Sequence, residues 1–185
     1  MRVINDIHDI WDGDNLLVHN NRGILPKAIM HFQKCKWHHA GKLIWIRGEL
    51  YVSEALANGI GLTHISHYTS HPDKYTLLIL RPKEAFTSEE IDRMFAFMIP
   101  KTGKVKYDKI NLVWHQVVKF ITFGKVWLGA KTDEKADRRY ICGEWVGRVD
   151  NIIRDYFDNK KWMSLAPVDL FFSRHYNHYT LTIKN

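Results

Sequence analysis

The sequence of 185 residues contains only two cysteines, Cys35 and Cys142. Two thiols cannot build the disulfide framework of a small secreted protein, so reduced cysteines are expected. The first residues lack the basic start and apolar run of a secretory signal, and no apolar run is long enough to span a bilayer. These absences predict a cytoplasmic protein without a transmembrane segment.

The sequence also lacks the motifs of nucleotide and nucleic-acid binding proteins. Gly59 and Gly61 do not lie between a strand pattern and a helix pattern, so they predict no phosphate-binding loop. The net charge is +7, but the basic residues are scattered over the chain. Scattered charge is typical of a solvated surface and predicts no specific nucleic-acid partner. A non-enzymatic module with a basic, aromatic binding surface remains an alternative function.

Apolar residues are plentiful, at 45% of the chain, and aromatic residues make up 13%. This composition supports a packed core, and the length fits a single domain over residues 1–185. Periodicity predicts strands within 11–18, 37–46, 50–55, 75–80 and 179–183, helices within 26–35, 87–98, 110–123 and 142–157, and connections at 63–72 and 166–172. This order predicts an α+β fold in which a small, largely antiparallel sheet packs against helices.

A hairpin is predicted where residues 47–48 join two apolar segments. If this loop has two residues, Gly41 lies opposite Glu54 in the sheet. His39 then lies diagonally across from Glu54 on the same face, with about 7–8 Å between their Cβ atoms. The predicted register therefore brings a histidine and a carboxylate together, whereas a slip by one residue would separate them.

Cys142 stands at the start of a segment whose apolar residues have helical spacing. The apolar positions are Trp145, Val146, Val149, Ile152, Ile153, Tyr156 and Phe157. A thiol in the first turn lies beside unpaired N–H groups and the positive end of the helix dipole, which favour the thiolate. His39 and Glu54 supply the base and the orienting group that a cysteine nucleophile needs. In the alternative interpretation, Cys142 is an apolar core residue.

The ordered set of motifs resembles the NlpC-like papain-fold cysteine hydrolases, in particular their circularly permuted, YiiX-like branch, in which the histidine strand precedes the cysteine helix. The resemblance covers most of the chain and depends on residues 13–17, 38–43, 52–60, 80–82, 107–108, 140–146 and 166–170. Two positions depart from the family pattern. His38 and Gly143 each occupy a position where serine is usual.

The resemblance implies a permuted papain-like fold, with a sheet that is either open or barrel-like. It implies a cysteine peptidase or amidase that cleaves amide bonds in small peptides, including cell-wall peptides, and requires no cofactor. Cys142 would be the nucleophile, His39 the base and Glu54 the orienting group. Tyr107 would lie near the acyl group or the oxyanion, and His38 is a substrate-binding residue or a rival base. The same triad in a lipid or thioester acyl hydrolase or acyltransferase is the alternative chemistry.

A metal site is the remaining alternative, because His31, Cys35, His38 and His39 are ligand types at helix-like spacing. A zinc site needs four converging ligands, and the predicted helix ends before His38. No metal is therefore predicted.

Overall fold

The computed structural model describes residues 2–22, 35–104, 106–107, 139–157 and 165–183. The strands are β1 Arg2–Ile4, β2 Asn15–Asn20, β3 His39–Ile46, β4 Glu49–Leu56, β5 Gly59–His64, β6 Tyr75–Pro82, β7 Lys106–Tyr107, β8 Arg139–Tyr140 and β9 Tyr176–Leu181. The α-helices are α1 Ser66–Thr69, α2 Ser88–Met98, α3 Cys142–Ile153 and α4 Pro167–Phe172, and short 3-10 helices span Ile7–Asp9 and Ile99–Lys101. None of the helices within these ranges is long and apolar enough to cross a membrane.

Seven strands form one sheet in the order β1-β9-β6-β2-β3-β4-β5, while β7 and β8 form a separate parallel pair. Neighbours in the large sheet are antiparallel except for β1 and β9. The fold is α+β, as predicted, but the sheet is larger than expected. It is also open, since no pairing among the described strands joins β1 to β5. The predicted helix 110–123, and residues 26–34 of the predicted helix 26–35, lie outside the described residues.

The β3–β4 hairpin has the predicted register, with Gly41 opposite Glu54. Its loop consists of Arg47 and Gly48, whose φ angles are 53° and 80°. A two-residue type I′ turn requires positive φ at both central positions, and its twist matches that of the flanking strands. The turn geometry therefore fixes which residues of β3 face which residues of β4.

Strand β5 was not predicted from the sequence, because Gly59 and Gly61 resemble the start of a loop. The structure places Leu56 opposite Gly59, so a second tight turn folds β5 back along β4. The following polar connection is also more ordered than its composition suggests. It contains α1, which has a buried tyrosine, Tyr68.

Two predictions near the C-terminus are wrong in detail. The connection predicted at 166–172 contains α4, which has Pro167 at its first position and the Asp169 carboxylate accepting the N–H of Ala166 at 2.7 Å. Both features favour a helix start. The helical stripe predicted to continue to Phe157 ends earlier, because Arg154 has an extended backbone (φ −142°, ψ 139°).

Helix α3 packs against the sheet with Trp145, Val146 and Val149 fully buried. Their cluster also contains Met94 and Met98 of α2. Burial of each large apolar side chain contributes about 1.5–3 kcal/mol to stability. Burial of this apolar face holds α3 against the sheet. The hydrophobic effect is non-directional, however, so it does not fix the position of the helix along the strands.

A buried polar cluster supplies that directional contact. Lys42 on β3 forms an ion pair with Asp150 on α3, and both side chains are inaccessible to solvent. Asp150 also accepts hydrogen bonds from Asn15 at 3.1 Å and Tyr176 at 2.6 Å, while Lys42 donates to the Gly13 carbonyl at 2.9 Å. Sequence reasoning did not identify this cluster, which joins α3 to three strands of the sheet.

Replacement of Lys42 by Met should lower the free energy of unfolding by about 3–5 kcal/mol, because it leaves the Asp150 carboxylate buried without its counter-charge. The measurement is urea unfolding followed by circular dichroism. Arg22→Ala is the control, since it breaks an exposed ion pair with Asp73 (2.8 Å) and should cost at most about 1 kcal/mol. Equal losses in the two variants would contradict the structural importance of the cluster.

Candidate active site

His39 and Glu54 form the contact that the hairpin register predicts, with His39 Nε2 hydrogen-bonded to Glu54 Oε2. Gly41 is opposite Glu54 in the sheet, two residues after His39. Because glycine has no side chain, the His39 ring can reach diagonally across to Glu54. A Cβ atom at Gly41 would lie 2.3 Å from Val52 Cγ1 and 3.3 Å from Glu54 Cβ. The Glu54 side chain is fully buried, whereas 16% of the His39 side chain is exposed. Solvent therefore reaches the pair from the histidine side.

Glu54 has a second strong partner that sequence reasoning missed. The hydroxyl of Tyr68 donates to the same oxygen, Glu54 Oε2, at 2.7 Å. Burial acts to raise the pKa of Glu54, but His39 and the neighbouring hydroxyl groups of Thr63 and Tyr68 outweigh it and lower the pKa below its usual value. The carboxylate is therefore ionised at neutral pH, and His39 faces a buried negative charge.

Cys142, the first residue of α3, is also buried, and its side chain lies close enough to His39 to raise the pKa of that histidine. Because Nε2 of the ring contacts Glu54, Nδ1 is the nitrogen left for the thiol. Burial acts to lower the pKa of His39, but Glu54 and Cys142 outweigh it and raise the pKa to about 10. His39 is thus an imidazolium at neutral pH, which is the counter-ion that stabilises a neighbouring thiolate.

His38, the rival base, lies beside this group but contacts a different part of the fold. Its Nδ1 accepts the N–H of Asn20 on β2 at 3.3 Å, and its ring centre is 6.4 Å from that of His39. Burial and the positive charges of His39 and His19 lower the pKa of His38 to about 4. His38 is therefore uncharged at neutral pH, and His39 is the histidine that the structure brings to Cys142.

The structure describes Tyr107 through its backbone only. Strand β7 pairs in parallel with β8, which puts Tyr107 opposite Tyr140, two residues before Cys142. Its predicted role near the acyl group or oxyanion depends on a side chain outside the described part of the structure. Of the alternative metal ligands, His31 also lies outside it, and Cys35 is partly buried against the core.

The start of α3 explains why this chain has a glycine, Gly143, directly after Cys142. Ile141 donates its N–H to the Glu144 carboxylate at 3.2 Å, which caps the helix. The chain at Leu165 and Ala166 crosses this first turn. A Cβ atom at Gly143 would lie 2.2 Å from the Leu165 carbonyl oxygen and 2.8 Å from Ala166 Cα. The serine usual in the resembling family would therefore collide with backbone here.

Gly143→Ala should destabilise the protein by about 1–3 kcal/mol, because backbone atoms have to move. Gly147→Ala is the matched control one turn later, where the added Cβ would meet only the flexible end of the Leu165 side chain, at 2.2 Å. Its gain in helix propensity of up to about 1 kcal/mol should offset most of that contact. Thermal unfolding of both variants tests this difference, and a greater loss in Gly147→Ala would contradict it.

The comparisons with known proteins place the fold but not the activity. No family model matches the sequence, and no curated protein matches it. The chain has a YiiX-like α+β fold. Among solved structures it is similar to the metalloprotein YiiX from Escherichia coli O157:H7, with a TM-score of 0.62 and 17% sequence identity over 94% of this chain and 97% of that one. At this identity the likeness concerns the fold alone.

Proposed function

We propose that this chain is a cysteine hydrolase that cleaves amide bonds through an acyl-enzyme on Cys142. The observation that carries the proposal is the position of His39, which contacts both Cys142 and the buried carboxylate of Glu54. One polar partner is enough for a histidine with a purely structural role. In cysteine hydrolases, by contrast, the histidine lies between a nucleophilic thiol and an orienting side chain. Likeness to YiiX across nearly the whole chain supports a YiiX-like fold, and the permuted papain-like character of a single domain is part of the proposal.

In the proposed reaction, the Cys142 thiolate attacks the carbonyl carbon of the substrate. The N–H groups in the first turn of α3 would stabilise the oxyanion that forms. The His39 imidazolium then gives its proton to the leaving amine, and the C–N bond breaks to give a thioester. Water next attacks the thioester with neutral His39 as base, which releases the acid and restores the thiolate and imidazolium.

Glu54 does not react in this scheme. Its carboxylate holds the Nε2–H of His39, which keeps Nδ1 directed at the thiol and stabilises the imidazolium. This role agrees with its complete burial, since a group that transfers protons to substrate would need access to it.

A metal has no place in this proposal, although the similar structure is described as a metalloprotein. Within the described ranges, no three His, Cys, Asp or Glu side chains are arranged to hold a metal ion. The side chains of His39, Cys142 and Glu54 interact with one another instead: His39 lies between the Cys142 thiol and the Glu54 carboxylate. The proposed reaction uses the thiol and the imidazole.

Cys142 should be alkylated by iodoacetamide near neutral pH much faster than Cys35, because it has an imidazolium partner whereas Cys35 lies against the apolar core. His39→Ala should slow this labelling by about tenfold or more, since the thiolate loses its counter-ion. His38→Ala should leave most of it, because His38 contacts β2 instead. Mass spectrometry of tryptic peptides measures both sites.

Cys142→Ser should abolish the fast labelling without unfolding the domain, while Cys35→Ser should preserve it. Labelling of Cys35 first, or of Cys142 only after denaturation, would make Cys142 a packing residue and overturn the hydrolase proposal.

The substrate class is tested by comparing amides with esters. Short peptides with D-amino-acid or γ-glutamyl bonds should be hydrolysed by the wild-type chain and not by Cys142→Ser, since attack by the thiolate is the first step. Liquid chromatography of the released amine measures turnover. Turnover of fatty acyl esters or thioesters alone would favour the acyl hydrolase or acyltransferase alternative.

A further inference from the structure

Acidic residues are absent from the part of the sequence that contains the His39 strand. Residues 15–48 include no Asp or Glu, although the chain has 20, and they include six Lys or Arg and four His. Strands β2 and β3 both lie within this stretch. The nearby carboxylate of Glu54, on β4, is fully buried behind His39. A ligand that reaches His39 from solvent therefore meets no carboxylate on β2 or β3.

His38 is the side chain of this stretch that lies next to His39. Its ring centre is 6.4 Å from that of His39, and its side chain is partly exposed. The backbone N–H of Asn20 donates to Nδ1 of His38 at 3.3 Å. Because a backbone N–H can only donate, this bond selects the neutral form with its hydrogen on Nε2. His38 thus presents an N–H donor on the side of the ring away from Asn20.

The surroundings of His38 disfavour a cation and favour an anion. Burial, together with the positive charges of His39 and His19, lowers the pKa of His38 to about 4. The charge of His39 that repels a cation at this position attracts an anion there equally. A hydrogen bond from the neutral imidazole would also offset part of the cost of removing that anion from water.

The proposed reaction indicates which part of the substrate reaches His38. The leaving amine has to lie within hydrogen-bond distance of the His39 ring to receive its proton. In an α-amino acid, the carboxylate carbon is about 2.5 Å from the amine nitrogen. This reach and one hydrogen bond of about 3 Å are enough to bridge the 6.4 Å between the two ring centres.

We propose that His38 is a substrate-binding residue whose Nε2–H donates to a carboxylate on the leaving group. The substrate class is then an amide whose leaving amine is an amino acid with a free α-carboxylate. This inference deepens the proposed function and rests on it.

The experiment compares two alkylating reagents that differ only in a terminal carboxylate, iodoacetyl-glycine and iodoacetyl-glycinamide. Their rates with Cys142 are measured at pH 7 in a Cys35→Ser background by mass spectrometry, and each is divided by its rate with free cysteine. Because both reagents attack the same thiol, the ratio does not depend on how much of that thiol is ionised. We expect the carboxylate reagent to react about tenfold faster, the effect of one hydrogen bond to a charged group.

His38→Ala should lower this ratio about tenfold, because the donor is lost. His38→Phe keeps a ring and also lacks the donor, so it decides the question if His38→Ala does not fold, as judged by circular dichroism. His8→Ala is the matched control. His8 stacks on Trp45 near the other end of β3, with 5.7 Å between ring centres, and its loss should leave the ratio at the wild-type value.

Hydrolysis tests which side of the scissile bond carries the carboxylate. Replacing γ-glutamyl-alanine by γ-glutamyl-alaninamide removes the carboxylate of the leaving group and should lower kcat/KM about tenfold in the wild-type chain. The same replacement should have little effect in His38→Ala. Isoglutaminyl-alanine lacks the acyl-side carboxylate instead, and should be hydrolysed nearly as fast as γ-glutamyl-alanine.

The outcomes separate the two proposals. If Cys142 reacts only after denaturation, the proposed function fails and the inference with it. If Cys142 reacts in the folded chain and depends on His39, but the two reagents have equal normalised rates, only the inference is overturned. An unchanged ratio in the folded His38 variants, or a greater loss with isoglutaminyl-alanine than with γ-glutamyl-alaninamide, would also overturn it.

Discussion

The attachment of helix α3 to the β3–β4 hairpin is the constraint on which the site depends. The helix carries Cys142, and the hairpin carries His39 and Glu54. Two buried polar contacts join them: Asp150 pairs with Lys42, and Trp145 donates its indole N–H to Ser53 at 3.1 Å. Lys42 lies three residues after His39, and Ser53 is adjacent to Glu54. A shift of the helix along the sheet would break both contacts, so the same interactions that hold the fold also hold the thiol against the imidazole.

The electrostatic character of the site follows from where its charges are buried. Glu54 is buried without a formal cation other than His39 among the groups that set its pKa, so its charge acts almost wholly on the imidazole. His39 passes that influence to Cys142 and keeps a solvent-exposed edge. Asp150, by contrast, has Lys42 as its counter-charge within the core and is not among the groups that shift the pKa values of Glu54 and His39. The two buried carboxylates therefore have different roles: Glu54 acts on the imidazole of His39, whereas Asp150 pairs with Lys42 and holds the helix on the sheet.

Local patterns made the hairpin and the His39–Glu54 contact predictable, since a two-residue turn fixes the register and strand residues alternate between faces. The Cys142 helix was predictable from its apolar spacing, although its end at Ile153 was not. The Asp150 cluster could not be found this way, because it joins segments far apart in sequence and carries no motif. Tyr68 is only 14 residues from Glu54, but it follows β5, a strand that the sequence pattern did not predict. The 108-residue separation of Lys42 from Asp150 leaves no local signal.

The position of Cys142 in the sequence affects the order in which the residues of the site come together during folding. His39 and Glu54 are 15 residues apart and belong to one hairpin, whereas Cys142 follows about a hundred residues later. Local pairings form faster than distant ones, and synthesis proceeds from the N-terminus. We expect the His39–Glu54 pair to form first and Cys142 to join it last. A nascent or partly unfolded chain would then carry an ordinary thiol, and reactivity would itself report completed folding.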